Sequence, residues 1–205
     1  MQDLSELQQD ILTEAFNLGM GSAAASLSEI VRDEITLSVP NLTFIDRKSA
    51  SSKLHNSADS ELSGVSQGFT GPFCGKALLL FPVKQSLALV RLMLQDSVPL
   101  DSLTEFEEEA LNEIGNIILN AGLSSLADMF GRRIDTEIPS YTHGATDDIL
   151  CADNPNHQLH DIVLFLQVDF SIKESDINGF VIYLLDVDSM KDFTQLLDQY
   201  LAKIS

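Results

Sequence analysis

The sequence predicts an α+β fold in which two pseudo-symmetric αβββα repeats form one continuous, mainly antiparallel sheet with long helices packed on it. Three observations predict this fold. The chain of 205 residues repeats itself, each repeat opens with a long stretch of helix-forming residues, and β-like segments follow that stretch. An isolated repeat would leave a strand edge and a sheet face uncovered. We therefore expect a single domain over residues 1–205, with internal repeats at about 1–98 and 99–205.

The internal repeat is visible at a single offset of 99 residues, without gaps. The matched positions include Leu12 with Leu111, Glu14 with Glu113, Asn17 with Asn116, Leu27 with Leu126, Ile35 with Ile134, and Pro40 with Pro139. So many matches at one shift indicate a duplicated unit of about one hundred residues.

Each repeat begins with a long helix, predicted over residues 5–32 and 104–132, because both stretches are rich in Leu, Ala and Glu. The helical period predicts a buried stripe on each. Its members are Leu4, Leu7, Ile11, Ala15 and Leu18 in the first helix, and Leu103, Phe106, Ala110, Ile114 and Ile117 in the second. Small residues such as Gly19 are expected to let each helix lie close to its own sheet.

Three strands and a short helix complete each predicted repeat. Alternation of apolar and polar residues, as in residues 35–39, is typical of a strand with one buried face. The strands are predicted at 35–46, 64–70 and 75–81, then at 134–142, 161–172 and 178–186; the short helices at 83–95 and 188–202; and polar loops at 48–60 and 144–156.

The charge of the chain limits its partners. Thirty-one acidic residues against twelve basic ones give a net charge of −19. This charge argues against nucleic acid or an anionic membrane as partner, because both require positive charge on the protein. A basic protein surface is the better electrostatic match, with simple solubility as the alternative. Two cysteines and the lack of a long apolar segment favour a cytoplasmic protein that does not insert into a membrane.

Polar residues recur on the two long helices, beside the predicted buried stripes. They are Asp10, Glu14 and Asn17 in the first repeat, and Glu109, Glu113 and Asn116 in the second. Residues three apart on a helix are neighbours, so each carboxylate lies beside a carboxamide. Asparagine is a poor residue for a helix interior, and its recurrence at matching positions indicates a function.

At these residues the sequence resembles the CheC / CheX / FliY family of chemotaxis phosphatases. The family motif is Asp or Ser, three residues, Glu, two residues, Asn, twenty-two residues and Pro. The first copy matches at every position, with Asp10, Glu14, Asn17 and Pro40. The second matches with Glu113, Asn116 and Pro139, and has Glu109 in the first place. Two copies in one chain resemble the CheC type.

The resemblance implies a phosphatase that acts on the aspartyl phosphate of a CheY-like response regulator. Asn17 and Asn116 would orient the attacking water, and Glu14 and Glu113 would pair with the active-site lysine of the receiver domain. Asp10 and Glu109 would contact the partner, and Pro40 and Pro139 would be structural. The chain would need no cofactor of its own, because the Mg²⁺ is expected in the receiver. CheD, a receptor deamidase, is a further candidate partner.

Alternative interpretations remain open at this point. A non-catalytic adaptor could bind a phosphorylated receiver, CheD or flagellar switch components, or the chain could regulate a two-component system outside chemotaxis. A transition-metal site is a weaker candidate. Its ligands would come from His143, Cys151, Asp153, His157 and His160, but a polar loop accounts for them better, and we expect no metal site. The oligomeric state does not follow from the sequence.

Overall fold

The computed structural model describes residues 4–57, 61–94, 103–151, 162–172 and 175–204. The helices are α1 (Glu6–Val31), α2 (Arg47–Ser57), α3 (Val83–Met93), α4 (Leu103–Phe130), α5 (Thr146–Cys151) and α6 (Val187–Ile204). The strands are β1 (Ile35–Asp46), β2 (Glu61–Thr70), β3 (Gly75–Pro82), β4 (Asp135–Thr136), β5 (Ser140–Ala145), β6 (Ile162–Ile172) and β7 (Ser175–Leu185). Within these ranges no helix combines the length and apolar character that a bilayer span requires.

The seven strands form one sheet that contains both repeats. Its order is β1-β6-β7-β3-β2-β4, and β5 also pairs with β2. Every pair is antiparallel. The first strand of each repeat pairs with the middle strand of the other repeat, because β1 lies against β6 and β4 and β5 lie against β2. The predicted fold class, with two repeats in one antiparallel sheet, is confirmed.

The sheet lies between two layers of helices. Alternate residues of each central strand face opposite sides, so Leu79 contributes to one core while Leu78 and Leu80 contribute to the other. The first and larger core includes side chains of α1, α4, α3 and α6. The second includes side chains of α2 and α5. Both long helices, which carry the two polar motifs, therefore lie on the same face of the sheet.

The two polar segments predicted as loops contain helices, so that prediction was wrong. In α2, Ala50 and Leu54 are four residues apart and fully buried against the second face of the sheet. In α5, Ile149 and Leu150 fill the same core. Asp46 accepts a hydrogen bond of 2.8 Å from the backbone of Ser49 at the start of α2. Each helix offers only two apolar residues to this core, too few to reveal a helical period in a polar segment.

The buried faces of the long helices also differ from the predicted stripes. Ala15 and Ile114 are buried as predicted, but Leu7, Leu18 and Phe106 are exposed. The buried faces include Leu12, Phe16, Met20, Ala23 and Leu27 in α1, and Leu111, Ile114, Ile118, Leu119 and Leu123 in α4. Each helix packs both on the sheet and on the other long helix. The centre of the observed buried face therefore lies about one residue further along the chain than that of the predicted stripe.

Two glycines allow close packing of the long helices, in different ways. A Cβ atom at Gly19 would lie 2.8 Å from the carbonyl oxygen of Ala121, so Gly19 lets α1 approach α4. A Cβ atom at Gly115 would overlap the side chain of Val65 in β2. The prediction that small residues bring each helix to its own sheet was wrong for Gly19, which contacts α4, but it holds for Gly122, where a Cβ atom would lie 2.5 Å from the hydroxyl oxygen of Tyr183 in β7.

Replacement of Gly115 by alanine should destabilise the fold, because Val65 is a stiff β-branched residue that is fully buried. We expect the free energy of unfolding to fall by about 1–3 kcal/mol in Gly115→Ala, measured by urea denaturation. Gly21→Ala is the matched control, since no atom lies within 4 Å of a Cβ atom there. It should stabilise by about 0.5–1 kcal/mol through helix propensity alone. A stable Gly115→Ala variant would contradict the close packing of α4 on β2.

Candidate functional site

The first motif lies on α1 and reaches across to β1. Glu14 and Asp10 are exposed, whereas Asn17 is half-buried. The side-chain oxygen of Asn17, Oδ1, accepts a hydrogen bond of 2.9 Å from the backbone N–H of Val39. The carboxamide of the first motif is therefore bonded to the residue immediately before Pro40.

In both repeats the spacing from asparagine to proline ends at a bulge in a strand. In β1 the register shifts by one residue between Ser38 and Asn41. In the second repeat the same shift separates Thr136 and Ser140, so that β4 and β5 are distinct strands. Proline cannot donate to a strand ladder and is accommodated at a bulge. The register shift in each repeat thus accommodates the proline, Pro40 in the first repeat and Pro139 in the second.

The second motif lies on α4, where Glu109, Glu113 and Asn116 are all exposed. The Oδ1 atom of Asn116 accepts a hydrogen bond of 2.8 Å from Nδ2 of Asn120, one turn further along the helix. Neither motif asparagine is buried in the interior, because Asn116 is exposed and Asn17 is half-buried.

A chain of carboxamides continues from Asn120 into the core. Nε2 of Gln67, a residue of β2 that is 1% exposed, donates to Oδ1 of Asn120 at 3.3 Å. The same nitrogen donates to the backbone carbonyl oxygen of Glu137 at 2.7 Å. The backbone N–H of Glu137 donates in turn to the carbonyl of Gly68 at 2.9 Å. The exposed Asn116 is thus connected through Asn120 to a buried and well-fixed side chain.

A cavity of about 730 Å³ opens beside the second motif. It is lined by Glu108, Glu109, Asn112, Glu113, Asn116, Thr136, Glu137, Ile138 and Pro139. The side chain of Ile138 is 90% exposed at its edge. With four glutamates in its lining, the cavity favours a cationic group, and Ile138 adds an apolar contact next to Pro139.

A second groove, of about 620 Å³, runs between α1 and α4. Glu14 borders it, and so do small residues of both helices, among them Gly19 and Ala121. Asn17 is not among its lining residues. Glu113 and Asn116 of the second motif thus both line a cavity. In the first motif Glu14 lines this groove, whereas Asn17 does not.

The polar residues behind the second motif are held in place by buried hydrogen bonds. The carboxylate of Glu107, buried in α4, accepts a bond of 2.6 Å from Oγ of Ser86 in α3. Burial raises the pKa of the Tyr141 phenol, and the nearby carboxylates of Glu107 and Glu108 add to the rise. The Tyr141 phenol consequently keeps its proton to a higher pH than a free phenol does.

Sequence reasoning missed three residues of this site: Asn120, Gln67 and Ile138. Asn120 is four residues after Asn116, a spacing that places two helical side chains together and could have indicated it. No sequence signal distinguishes Gln67 or Ile138. Among the described residues, no group of three or more His, Cys, Asp or Glu side chains could hold a metal ion. Asp153, His157 and His160 lie outside the described ranges.

Comparisons with known proteins find relatives in sequence and in fold. The model of the CheC-like family matches residues 7–43, which extend from the start of α1 past the β1 bulge. The flagellar motor switch phosphatase FliY of Bacillus subtilis (strain 168) is 27% identical over 141 residues, which are 68% of this chain and 36% of FliY. The CheY-P phosphatase CheC of the same organism is 24% identical over 139 residues, 66% of each chain. The matched part is thus less than two thirds of either relative.

The fold is similar to that of FliY from Thermotoga maritima in its crystal structure. The TM-score is 0.76 at 22% identity, and the match covers 96% of this chain and 98% of that one. Fold and motifs together define a class of two-repeat α+β proteins that present a glutamate and an asparagine on each of two long helices. The chain is thus similar in sequence to FliY and CheC of B. subtilis, and in fold to FliY of T. maritima.

The two asparagines should contribute differently to stability. In Asn17→Ala the half-buried N–H of Val39 loses its acceptor, and we expect the free energy of unfolding to fall by about 1–2 kcal/mol. In Asn116→Ala an exposed helical residue is replaced by a better helix former, so a change within about 0.5 kcal/mol is expected. Urea denaturation of both variants measures the difference in the free energy of unfolding. An equal fall in the two variants would contradict a stabilising contribution of the bond from Val39 to Asn17.

Proposed function

We propose that the chain accelerates hydrolysis of the aspartyl phosphate of a CheY-like response regulator. The observation that carries this proposal is the placement of Glu113 and Asn116, one helical turn apart and exposed, at the edge of an open cavity. The names of two relatives support it, since one is described as a CheY-P phosphatase and the other as a flagellar motor switch phosphatase. The acidic charge of the chain favours a partner whose active site contains a lysine.

The asparagine is suited to orienting water rather than to attacking phosphorus. A carboxamide oxygen accepts a hydrogen bond from the water, and the amide group takes no part in covalent chemistry. Water attacks the phosphorus atom in line, and the bond between phosphorus and the aspartyl oxygen breaks to leave the aspartate as a carboxylate. Inorganic phosphate departs with the water's oxygen and one of its protons, and the other proton passes to solvent. The receiver supplies the acyl phosphate and Mg²⁺. Positioning of the nucleophile is the main contribution that remains for this chain.

The glutamate of each motif is suited to pairing with the receiver's lysine. Glu14 and Glu113 are exposed, and each projects from its helix one turn before the asparagine. A contact between the carboxylate and the lysine ammonium group would set the position of the helix on the receiver. It would thereby place the asparagine at the partner's active site. Asp10 and Glu109, one turn earlier on the same helices, are placed to extend this contact.

A non-catalytic role in binding is the second candidate function. The B. subtilis relative FliY is named a flagellar motor switch phosphatase, and the reference to the motor switch favours a docking role. The two functions differ in stoichiometry. A phosphatase at substoichiometric concentration releases many phosphates per chain, whereas an adaptor binds the phosphorylated receiver and leaves its rate of decay unchanged.

Replacement of both motif asparagines should abolish the acceleration. In Asn17→Ala/Asn116→Ala, no carboxamide orients the water, and we expect the rate of phosphate release to fall by about 100-fold or more, to that of the receiver alone. The assay mixes catalytic amounts of the chain with a phosphorylated receiver and Mg²⁺ and follows free phosphate.

Asn56→Ala is the matched control, because Asn56 is also an exposed helical asparagine but lies in α2, on the opposite face of the sheet. It should behave as the wild type does. A double variant that remains as active as the wild type would refute the mechanism, and a wild type without turnover would leave only the adaptor.

The charge of Glu113 should affect binding more than turnover. Glu113→Gln keeps the shape but removes the carboxylate, so we expect KM for the phosphorylated receiver to rise by about tenfold, as for a charged contact of 1–2 kcal/mol. Asp148→Asn removes the same charge from α5 on the other face and should change KM little. Steady-state kinetics at fixed ionic strength separates the two cases. Similar effects from both variants would indicate general electrostatic attraction rather than a specific pair.

A further inference from the structure

The two motifs, identical in their Glu-x-x-Asn residues, differ in the state of the asparagine. Oδ1 of Asn17 receives the N–H of Val39, whereas Oδ1 of Asn116 receives Nδ2 of Asn120. The residue before the proline differs as well. Val39 is 2% exposed and packs in the core, while Ile138, at the matching position, is 90% exposed. The first carboxamide supports the fold, and the second is exposed beside an open cavity.

The residue one helical turn after each motif asparagine also differs between the repeats. Asn120 follows Asn116 by one turn, and the matching position after Asn17 is Gly21, which has no side chain. The first motif consequently cannot form the bond that orients Asn116.

The orientation of Asn116 is determined by a backbone carbonyl in the core. The carbonyl of Glu137 can only accept, so Gln67 must present its nitrogen to it. The same nitrogen faces Asn120, which must therefore present its oxygen to Gln67 and its nitrogen to Asn116. Asn116 then presents its oxygen to Asn120. A reversed amide at any of these positions would bring two donors, or two acceptors, together.

One consequence of this arrangement is that Oε1 of Gln67 is buried without a hydrogen-bond partner among the described residues. A buried acceptor without a partner destabilises the fold, and such groups are rare. The orientation of Gln67 that leaves its oxygen unpaired is also the one that directs both donors of its amide toward Glu137 and Asn120.

We propose that Asn120, itself held by the buried Gln67, is a positioning residue that orients Asn116, and that the second motif is therefore the more active of the two. This inference rests on the proposed phosphatase function. With one lone pair of Oδ1 directed at Asn120, the other is free to accept from water, and the side chain has lost most of its freedom to rotate. A nucleophile held by a fixed acceptor reacts faster than one held by a mobile acceptor.

The single asparagine variants test the inequality of the motifs. Asn116→Ala should lower kcat for phosphate release by about 100-fold, and Asn17→Ala by less than about threefold. Equal losses, or a larger loss in Asn17→Ala, would overturn the inequality. A wild type without any turnover would instead refute the proposed function, so the two failures are distinguishable. A thermal unfolding measurement on Asn17→Ala determines its Tm, and the activity assay is run below that temperature so that the variant is folded.

Variants of Asn120 test the positioning role. Asn120→Ala and Asn120→Leu both remove the donor, and Asn120→Leu keeps a similar volume. We expect kcat to fall about tenfold in each while KM changes less than about twofold, because the partner contact is intact. Asn120→Gln keeps a donor on a longer side chain and should recover part of kcat.

A purely structural role for Asn120 predicts a different pattern. In that case Asn120→Leu would retain the wild-type kcat, or kcat and stability would fall together in all three variants. Either result would overturn the positioning role, as would an unchanged kcat in Asn120→Ala. Urea denaturation of each variant provides the comparison, and the control Asn56→Ala should leave kcat, KM and stability as in the wild type.

Discussion

The exchange of strands between the repeats is the constraint on which the rest of the structure depends. Because β1 pairs with β6, and β4 and β5 pair with β2, neither repeat completes a sheet on its own. The exchange places both long helices on one face of a common sheet, where they pack against each other at Gly19 and Ala121. The two motifs are consequently presented by one surface. The second depends on the other repeat for support, because Gln67 of β2 donates to Asn120 of α4.

The proline at the end of each motif belongs to the same constraint. One extra residue in a strand reverses which side chains face the core. In β1 the buried residues are Ile35, Leu37 and Val39 before the bulge, and Leu42 and Phe44 after it. The bulge releases the N–H of Val39 from the strand ladder, and Asn17 accepts it. The spacing from Asn17 to Pro40 therefore has a structural reason in the first repeat, independent of any chemistry on a partner.

The sequence was sufficient to predict the repeat, the order of long helix, strands and short helix, and the surface position of the motif glutamates, because these follow from local periodicity and from self-similarity. The helices α2 and α5 were not predictable, since two buried apolar residues in each, such as Ala50 and Leu54, define no period. The exposure of Leu18 was not predictable either, because it depends on how α1 lies against both the sheet and α4. Gln67 acts across the repeats, through a contact between residues 53 positions apart in the chain.

Duplication of a motif does not duplicate its surroundings, and the surroundings decide what a carboxamide can do. The motif asparagine has the same length in both repeats, but the nearest hydrogen-bond donor determines the orientation of its amide. In α1 that donor is a backbone N–H of the strand, and in α4 it is the side chain of Asn120. Gly21 in one helix and Asn120 in the other are enough to separate the two outcomes. Two equal motifs in one chain can in this way come to serve the fold at one site and a partner at the other.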